Sequence, residues 1–313
     1  MTPQPIVIAH RGASGYLPEH TLAAKALAHG LGADFLEQDV VATRDSQLVV
    51  LHDLYLDDVS DVARHFPGRH RDDGRHYVVD FDLAELRTLT IFERRAPGTS
   101  AAKYPARFPA GTGLFGVATL EEELQLIQGL NRSTGRTAGI YPEIKDPDWH
   151  RRHGIDLAKL LLARLRAFGY SSAEDPVFVQ CFDAAELKRL KHGLGCELRL
   201  VQLVGPEPDY SALLTTTGLR SISAYACGLG PHYSQLVAEG DRGRPRRADL
   251  ALGARDAGLA LHAYTFRRDA LPAYARTLEE LLEFFWIEIA VDGVFCDHPD
   301  VAVSVRDSAL KVQ

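Results

Sequence analysis

Short apolar, β-branched runs alternate along this chain with amphipathic stretches of helical spacing. Runs at 5–9, 35–41, 48–51, 138–142, 177–181, 198–203, 221–226, 260–266 and 293–296 predict strands. Stretches at 21–29, 83–89, 120–129, 155–168, 184–192, 247–257 and 278–286 predict helices. Thr119 followed by Glu122, and Asp183 followed by Glu186, carry the spacing of a capping box. The alternation predicts a parallel sheet, and 313 residues suffice to close it into a (β/α)8 TIM barrel. Nine runs are one too many for that barrel. Those at 35–41 and 48–51 are only a few residues apart, whereas a parallel crossover needs about a dozen. The pair is either a hairpin or a place where the barrel lacks a helix.

Residues 54–118 break the rhythm. They include HFPGRHRDDGRHY and APGTSAAKYPARFPAGTG, rich in Gly, Pro, Arg and His, and are too long for a plain loop in a compact domain. The aromatic residues Phe66, Tyr77, Tyr104 and Phe108 argue against disorder. The segment reads as an insertion subdomain within one catalytic domain spanning 1–313, and its position beside the site suggests that it sets selectivity for the leaving group.

Composition narrows the function classes. Hydrophobic content of 46% and charged content of 25% are ordinary for a globular protein. No apolar stretch reaches the ~20 residues of a membrane-spanning helix, so no membrane partner is expected. A net charge of −7 without a basic patch argues against nucleic acid. The densest basic stretch, DRGRPRR at 241–247, sits beside Gly and Pro and reads as a solvated loop. Cys181, Cys196, Cys227 and Cys296 form no C-x-x-C pair, which argues against zinc. Cys181, Cys227 and Cys296 lie in or beside apolar runs and are expected to be buried; one disulfide stays open. The start MTPQPIVIAH has no signal-peptide pattern. It fits a cytoplasmic chain, or a periplasmic or secreted domain whose leader has been removed. A homodimer is compatible with everything above.

Three clusters carry the chemistry. IAHRGASGYLPEHT places His10 and Arg11 directly after an apolar run. FLEQDVVATRDSQLVVLHD places Glu37 and Asp39 two residues apart, then His52 and Asp53 after a second run. YPEIKD places Glu143 and Lys145 two apart. Residues at i and i+2 on a strand share a face, and barrel active sites sit at the carboxyl ends of the strands. Glu37, Asp39 and Glu143 would repel one another in one pocket unless a divalent cation joins them, and an all-oxygen set suits Ca²⁺, Mg²⁺ or Mn²⁺. The blander reading pairs these carboxylates with barrel Arg and Lys. Unperturbed, histidine alone titrates near neutral pH, and His10 and His52 can serve as an acid–base pair. Arg11 and Lys145 can hold a phosphate. Asp53 can orient a histidine ring or cap a loop, and Glu19 can steady the site. His20, His150, His232, His262 and His298 have no comparable company and read as structural or peripheral.

With these residues in place, HRG…PEHT, E-x-D, HD and PEIK resemble the glycerophosphodiester phosphodiesterases. The resemblance runs nearly the whole chain, to GVFCDHPD at 293–300. YPARFP, YPEIKD, QCFD and LVQL are similar to the larger, periplasmic branch of that family. The resemblance implies a TIM barrel with an insertion and one divalent ion, often calcium, on Glu37, Asp39 and Glu143. It implies His10 and His52 as the catalytic pair, with Arg11 and Lys145 on phosphate. The implied reaction hydrolyses a small glycerophosphodiester, such as glycerophosphocholine or glycerophosphoethanolamine, to glycerol 3-phosphate and an alcohol. Many members have Asn where this chain has His20; the periplasmic-type members share the His. Two other readings are a binding protein that keeps the pocket without catalysis, and a barrel phospholipase with an apolar rim for lipid.

Overall fold

A computed structural model describes residues 4–111, 114–240 and 244–309. Its strands are β1 (Ile6–Ala9), β2 (Phe35–Ala42), β3 (Leu48–Val50), β4 (Gly139–Ile144), β5 (Phe178–Cys181), β6 (Arg199–Val204), β7 (Gly228–Pro231), β8 (Val237–Glu239), β9 (Pro245–Arg247), β10 (Ala260–Phe266) and β11 (Gly293–Cys296). Eight of them pair in parallel in the order β1-β11-β10-β7-β6-β5-β4-β2, and β1 pairs with β2 to close the ring. Helices cover the outside, so this is the expected (β/α)8 barrel.

The surplus strand resolves as a hairpin. β3 runs antiparallel to β2, with Val40 opposite Val50 and Ala42 opposite Leu48. β2 thus climbs past the depth of Asp39, and β3 brings the chain back down, where Leu51 N donates to Asp39 O at 2.9 Å. The run at 221–226 is not a strand. Thr216–Ile222 is a helix capped by Thr215, and the barrel strand is the next segment, GLGP. Gly and Pro ordinarily mark turns, which hid it. Here the glycine admits a neighbour: a Cβ on Gly230 would sit 2.6 Å from Leu203 Cδ2. Of the basic stretch, residues 241–243 lie outside the described residues, and Pro245–Arg247 form a two-stranded ribbon with β8 instead of a loop. All four cysteines are free; Cys227 is exposed, contrary to expectation, and Cys196 is buried. Thr119 and Glu122 make the reciprocal capping box, whereas Asp183 caps its helix without return from Glu186, which turns to Arg151 and Arg189.

Period-2 alternation builds the barrel interior in layers. Ile8, Phe35, Tyr141, Phe178, Val201 and Phe295 form a closed aromatic and aliphatic plug. Two residues further along the same strands stand His10, Glu37, Glu143 and Gln180, so a polar layer rests on an apolar floor. The Tyr141 ring stacks on Phe178 at 5.0 Å, and its hydroxyl meets His262 Nδ1 at 2.7 Å. Residues 54–118 hold the short helices Val62–His65 and Leu83–Leu86. Their apolar side chains, including Leu56, Val62, Phe81, Leu86 and Ile91, pack with Val41, Val49 and Leu51 into a second core. The insertion is therefore anchored on the β2–β3 hairpin.

Phe35 crosses the barrel floor where β4 begins with glycine: a Cβ on Gly139 would lie 2.3 Å from the Phe35 ring and 2.5 Å from Pro176 O. Gly139→Ala is expected to destabilise the protein by about 1–3 kcal/mol, the usual cost of overpacking a core. A urea midpoint that falls at constant m-value checks it; an unchanged midpoint contradicts this packing.

Candidate active site

All seven residues singled out from sequence line one cleft of about 550 Å³: His10, Arg11, Glu37, Asp39, His52, Glu143 and Lys145. They come from four places. His10 and Arg11 follow β1, Glu37 and Asp39 lie in β2, His52 follows β3, and Glu143 and Lys145 end β4. Parallel register sets Asp39 opposite Glu143, and Glu143 opposite Gln180. Arg11 has φ 57, a left-handed bend rare for a side-chain-bearing residue. The bend aims its backbone N–H at Glu37 Oε2 (2.8 Å) while the guanidinium reaches Glu19 at 3.0 Å.

One oxygen from each of Glu37, Asp39 and Glu143 lies within 4.8 Å of the others. All three residues are at most 5% exposed, so their charges face a low-dielectric interior. Burial and the neighbouring Asp39 hold Glu37 well above the ordinary carboxyl range. Burial pushes Glu143 up to about 8 against the pull of Lys145. Burial would also raise Asp39, but Lys145 and His20 keep it well below its usual value. Lys145 Nζ sits 2.8 Å from Glu143 Oε1 and 3.9 Å from Asp39 Oδ1. Asp39 Oδ1 is buried without a hydrogen-bond partner. Three converging carboxylates and one orphaned oxygen fit a hard divalent cation. One lysine answers only part of their charge.

Each histidine is oriented by a carboxylate on Nδ1. His52 Nδ1 lies 2.6 Å from Asp53 Oδ1, so Asp53 orients a ring. His10 Nδ1 lies 2.6 Å from Asp297 Oδ1. Both bonds leave Nε2 as the other ring nitrogen, and that of His10 is 3.9 Å from Glu37 Oε2. Burial, opposed by Asp297, lowers His10 to about 4. Burial in the cleft, with Arg11 and Lys145 nearby, lowers His52 to about 3. Both rings are therefore neutral near pH 7.

Several residues escaped sequence reasoning. Asp297 follows β11 as His10 follows β1. Since Ala9 pairs with Cys296, the strand-end rule would have found it. His20 is not peripheral: its Nε2 lies 2.7 Å from Asp39 Oδ2. Behind it stands Lys25, fully buried, 3.0 Å from Glu123 Oε2 and donating to the Glu37 carbonyl. Gln180 Nε2 donates to Glu37 Oε1 at 3.0 Å. His232 lines the cleft rather than standing apart. His262 and His150 are structural as expected, bound to Tyr141 and to Ala42 N.

A second groove of about 1220 Å³ opens from the cleft and shares Glu143, Lys145, Phe182 and Tyr264 with it. It is lined by Trp149 and Tyr210 and by Asp146, Asp183, Glu207 and Asp209, with Arg152 as one countercharge. No described residue of 54–118 lines either cavity. The described residues of the segment expected to set selectivity thus stand outside both linings. The loops after β4, β5 and β6 line the second groove.

Comparison with known proteins shows the family. A sequence model of the glycerophosphoryl diester phosphodiesterase family matches residues 10–301. A glycerophosphodiester phosphodiesterase of Haemophilus influenzae is 41% identical over 95% of this chain and 88% of its own length. One of Treponema pallidum is 39% identical over 95% and 90%. Among solved structures, an Oleispira antarctica phosphodiesterase in complex with the product sn-glycerol-3-phosphate superposes with TM-score 0.67 at 22% identity, covering 97% of each chain. Among the described residues, no helix is long and apolar enough to cross a membrane.

Proposed function

Because the chain belongs to the glycerophosphoryl diester phosphodiesterase family, we propose that it hydrolyses glycerophosphodiesters to sn-glycerol 3-phosphate and an alcohol. The observation that carries this reading is the single cleft holding two carboxylate-oriented histidines, three converging carboxylates and two cations. Residues 1–313 are read as one catalytic barrel domain, with 54–118 as a subdomain inside it. The core shared between that segment and the hairpin supports this division.

Glu37, Asp39 and Glu143 would hold one divalent ion, Ca²⁺ ahead of Mg²⁺, as the motif resemblance implies. When bound, the ion neutralises charge that builds on the phosphate oxygens. Arg11 and Lys145 grip the same phosphate from the protein side. One of His10 and His52, as a neutral ring, takes the proton from the attacking oxygen on its Nε2. The other gives a proton to the leaving oxygen and must first carry one on Nε2, a charged form that the anionic phosphate bound beside it favours over the neutral form of the empty cleft. The attacking oxygen is water or the substrate's own 2-hydroxyl. A cyclic phosphate trapped by phosphorus NMR identifies the second route.

Glycerophosphocholine and glycerophosphoethanolamine are the proposed substrates. Their cationic head groups suit the groove beside the cleft, where aromatic rings and carboxylates stand together. A quaternary ammonium is attracted to aromatic faces, by up to about 2 kcal/mol where water is excluded.

Three outcomes test these assignments. His10→Ala and His52→Ala should each lower kcat by about 10²–10⁴ while the thermal melt stays near wild type; normal turnover in either removes its role. Glu207→Gln with Asp209→Asn should lower kcat/KM for glycerophosphocholine several-fold relative to glycerophosphoglycerol, whose head group is neutral. An unchanged ratio removes the groove from head-group recognition. The third concerns protons. Glu143 is raised to about 8 and Glu37 is also raised, so below that pH the ion-free triad retains protons that a metal must displace. Metal uptake should release protons at pH 7, and apparent affinity should rise with pH until about 8. Calorimetry in buffers of different ionisation enthalpy checks this, and zero proton release contradicts it.

A further inference from the structure

No described residue of the insertion lines either cavity, yet the insertion sends one arginine to each histidine–carboxylate pair. Arg94 Nη1 donates to Asp53 Oδ2 at 2.6 Å, on the carboxylate whose other oxygen holds His52. Arg107 Nη2 donates to Asp297 Oδ2 at 2.6 Å, on the carboxylate whose other oxygen holds His10. Both arginine side chains are at most 9% exposed, so neither contact is a loose surface pair. Each guanidinium is fixed at further points. Arg94 forks onto Glu19 with bonds of 2.9 and 2.7 Å, and Glu19 in turn holds Arg11. Arg107 forks onto Asp269 with bonds of 2.7 and 2.8 Å and donates to Ser14 O.

We propose that Arg94 and Arg107 are positioning residues through which the insertion aligns the two histidines and, by way of Glu19, the phosphate-gripping Arg11. This inference rests on the acid–base reading of His10 and His52. A carboxylate with one oxygen on a ring nitrogen can still rotate about its own side-chain bonds. A second contact on its other oxygen, from a guanidinium that is itself held by a fork onto Glu19 or Asp269, removes that freedom, and with it the spread of ring orientations. The two arms are unequal. Arg267 Nε also donates to Asp297 Oδ2, at 2.9 Å, so His10 keeps a brace when Arg107 is lost. Arg94 makes the one arginine contact to Asp53 found among the described residues, and it alone links a histidine pair to Arg11.

Steady-state kinetics on the full chain test this. Arg94→Ala should lower kcat by about 10- to 100-fold, the scale of residues that orient a reacting group from behind, and should raise KM because Arg11 loses the support of a fixed Glu19. Arg107→Ala should lower kcat less, by up to about tenfold, with KM unchanged. Arg94→Lys, which keeps the charge but not the fork, should recover part of the loss. Combining Arg107→Ala with His10→Ala should lower kcat no further than the histidine change alone, since parts of one unit are non-additive. Arg94→Ala with His52→Ala should for the same reason lose less than the product of the two single losses, keeping only what passes through Glu19 and Arg11. A merely structural arginine would instead multiply its loss onto the histidine variant, and that result overturns the inference. So does wild-type kcat in Arg94→Ala. Should Arg94→Ala not fold, wild-type kcat in Arg94→Lys overturns it equally. Full activity in His10→Ala and His52→Ala is a separate outcome: it overturns the acid–base reading itself.

Discussion

Three carboxylates buried at the mouth of an apolar barrel are the constraint on which the rest of the site depends. Glu37, Asp39 and Glu143 rest on a plug of Phe35, Tyr141, Phe178 and Phe295 that excludes water from below. Charge held there is tolerated only with compensation. The fold supplies that from every side: Lys145 at the end of β4, the Arg11 backbone N–H and guanidinium, Gln180 from β5 and His20 from the first βα loop. Behind these, the buried Lys25–Glu123 pair ties the helix Leu120–Thr134 to the backbone of Glu37. Asp39 Oδ1 still has no hydrogen-bond partner, which is the opening the proposed cation would fill.

Barrel and insertion divide the work. The barrel places the reacting groups, because parallel register and period-2 alternation bring strand-end side chains to one depth. The β2–β3 hairpin extends that logic: it returns the chain to the level of Asp39, so His52 joins the site although its strand runs the other way. The insertion packs on the same hairpin, and its Arg94 and Arg107 bond to the carboxylates behind His52 and His10. In the proposed reading, the leaving group is recognised by the loops after β4, β5 and β6, where Trp149, Tyr210, Glu207 and Asp209 stand.

Local signals made much of this legible. Pairs at i and i+2 announced Glu37 with Asp39 and Glu143 with Lys145, and the apolar runs before His10 and His52 announced strand ends. Contacts between distant segments were not legible. Asp297 meets His10 across 287 residues, and Arg107 meets Asp297 across 190, so only barrel closure and the folded insertion join them. His20 looked isolated because its partner lies on another strand. β7 was missed because Gly228, Gly230 and Pro231 imitate a turn, while the close approach of Leu203 is what requires the glycine at 230. Cys227 follows an apolar stretch but lies just before β7 and stays exposed.

The most direct test of the central claim is release of glycerol 3-phosphate from glycerophosphocholine, measured before and after chelation with EDTA, and again after adding back Ca²⁺ or Mg²⁺. The account predicts that turnover is lost with the chelator and restored by one of these ions in the wild-type protein but not in Glu143→Ala. Turnover that survives exhaustive chelation would contradict a site organised around a cation held by Glu37, Asp39 and Glu143.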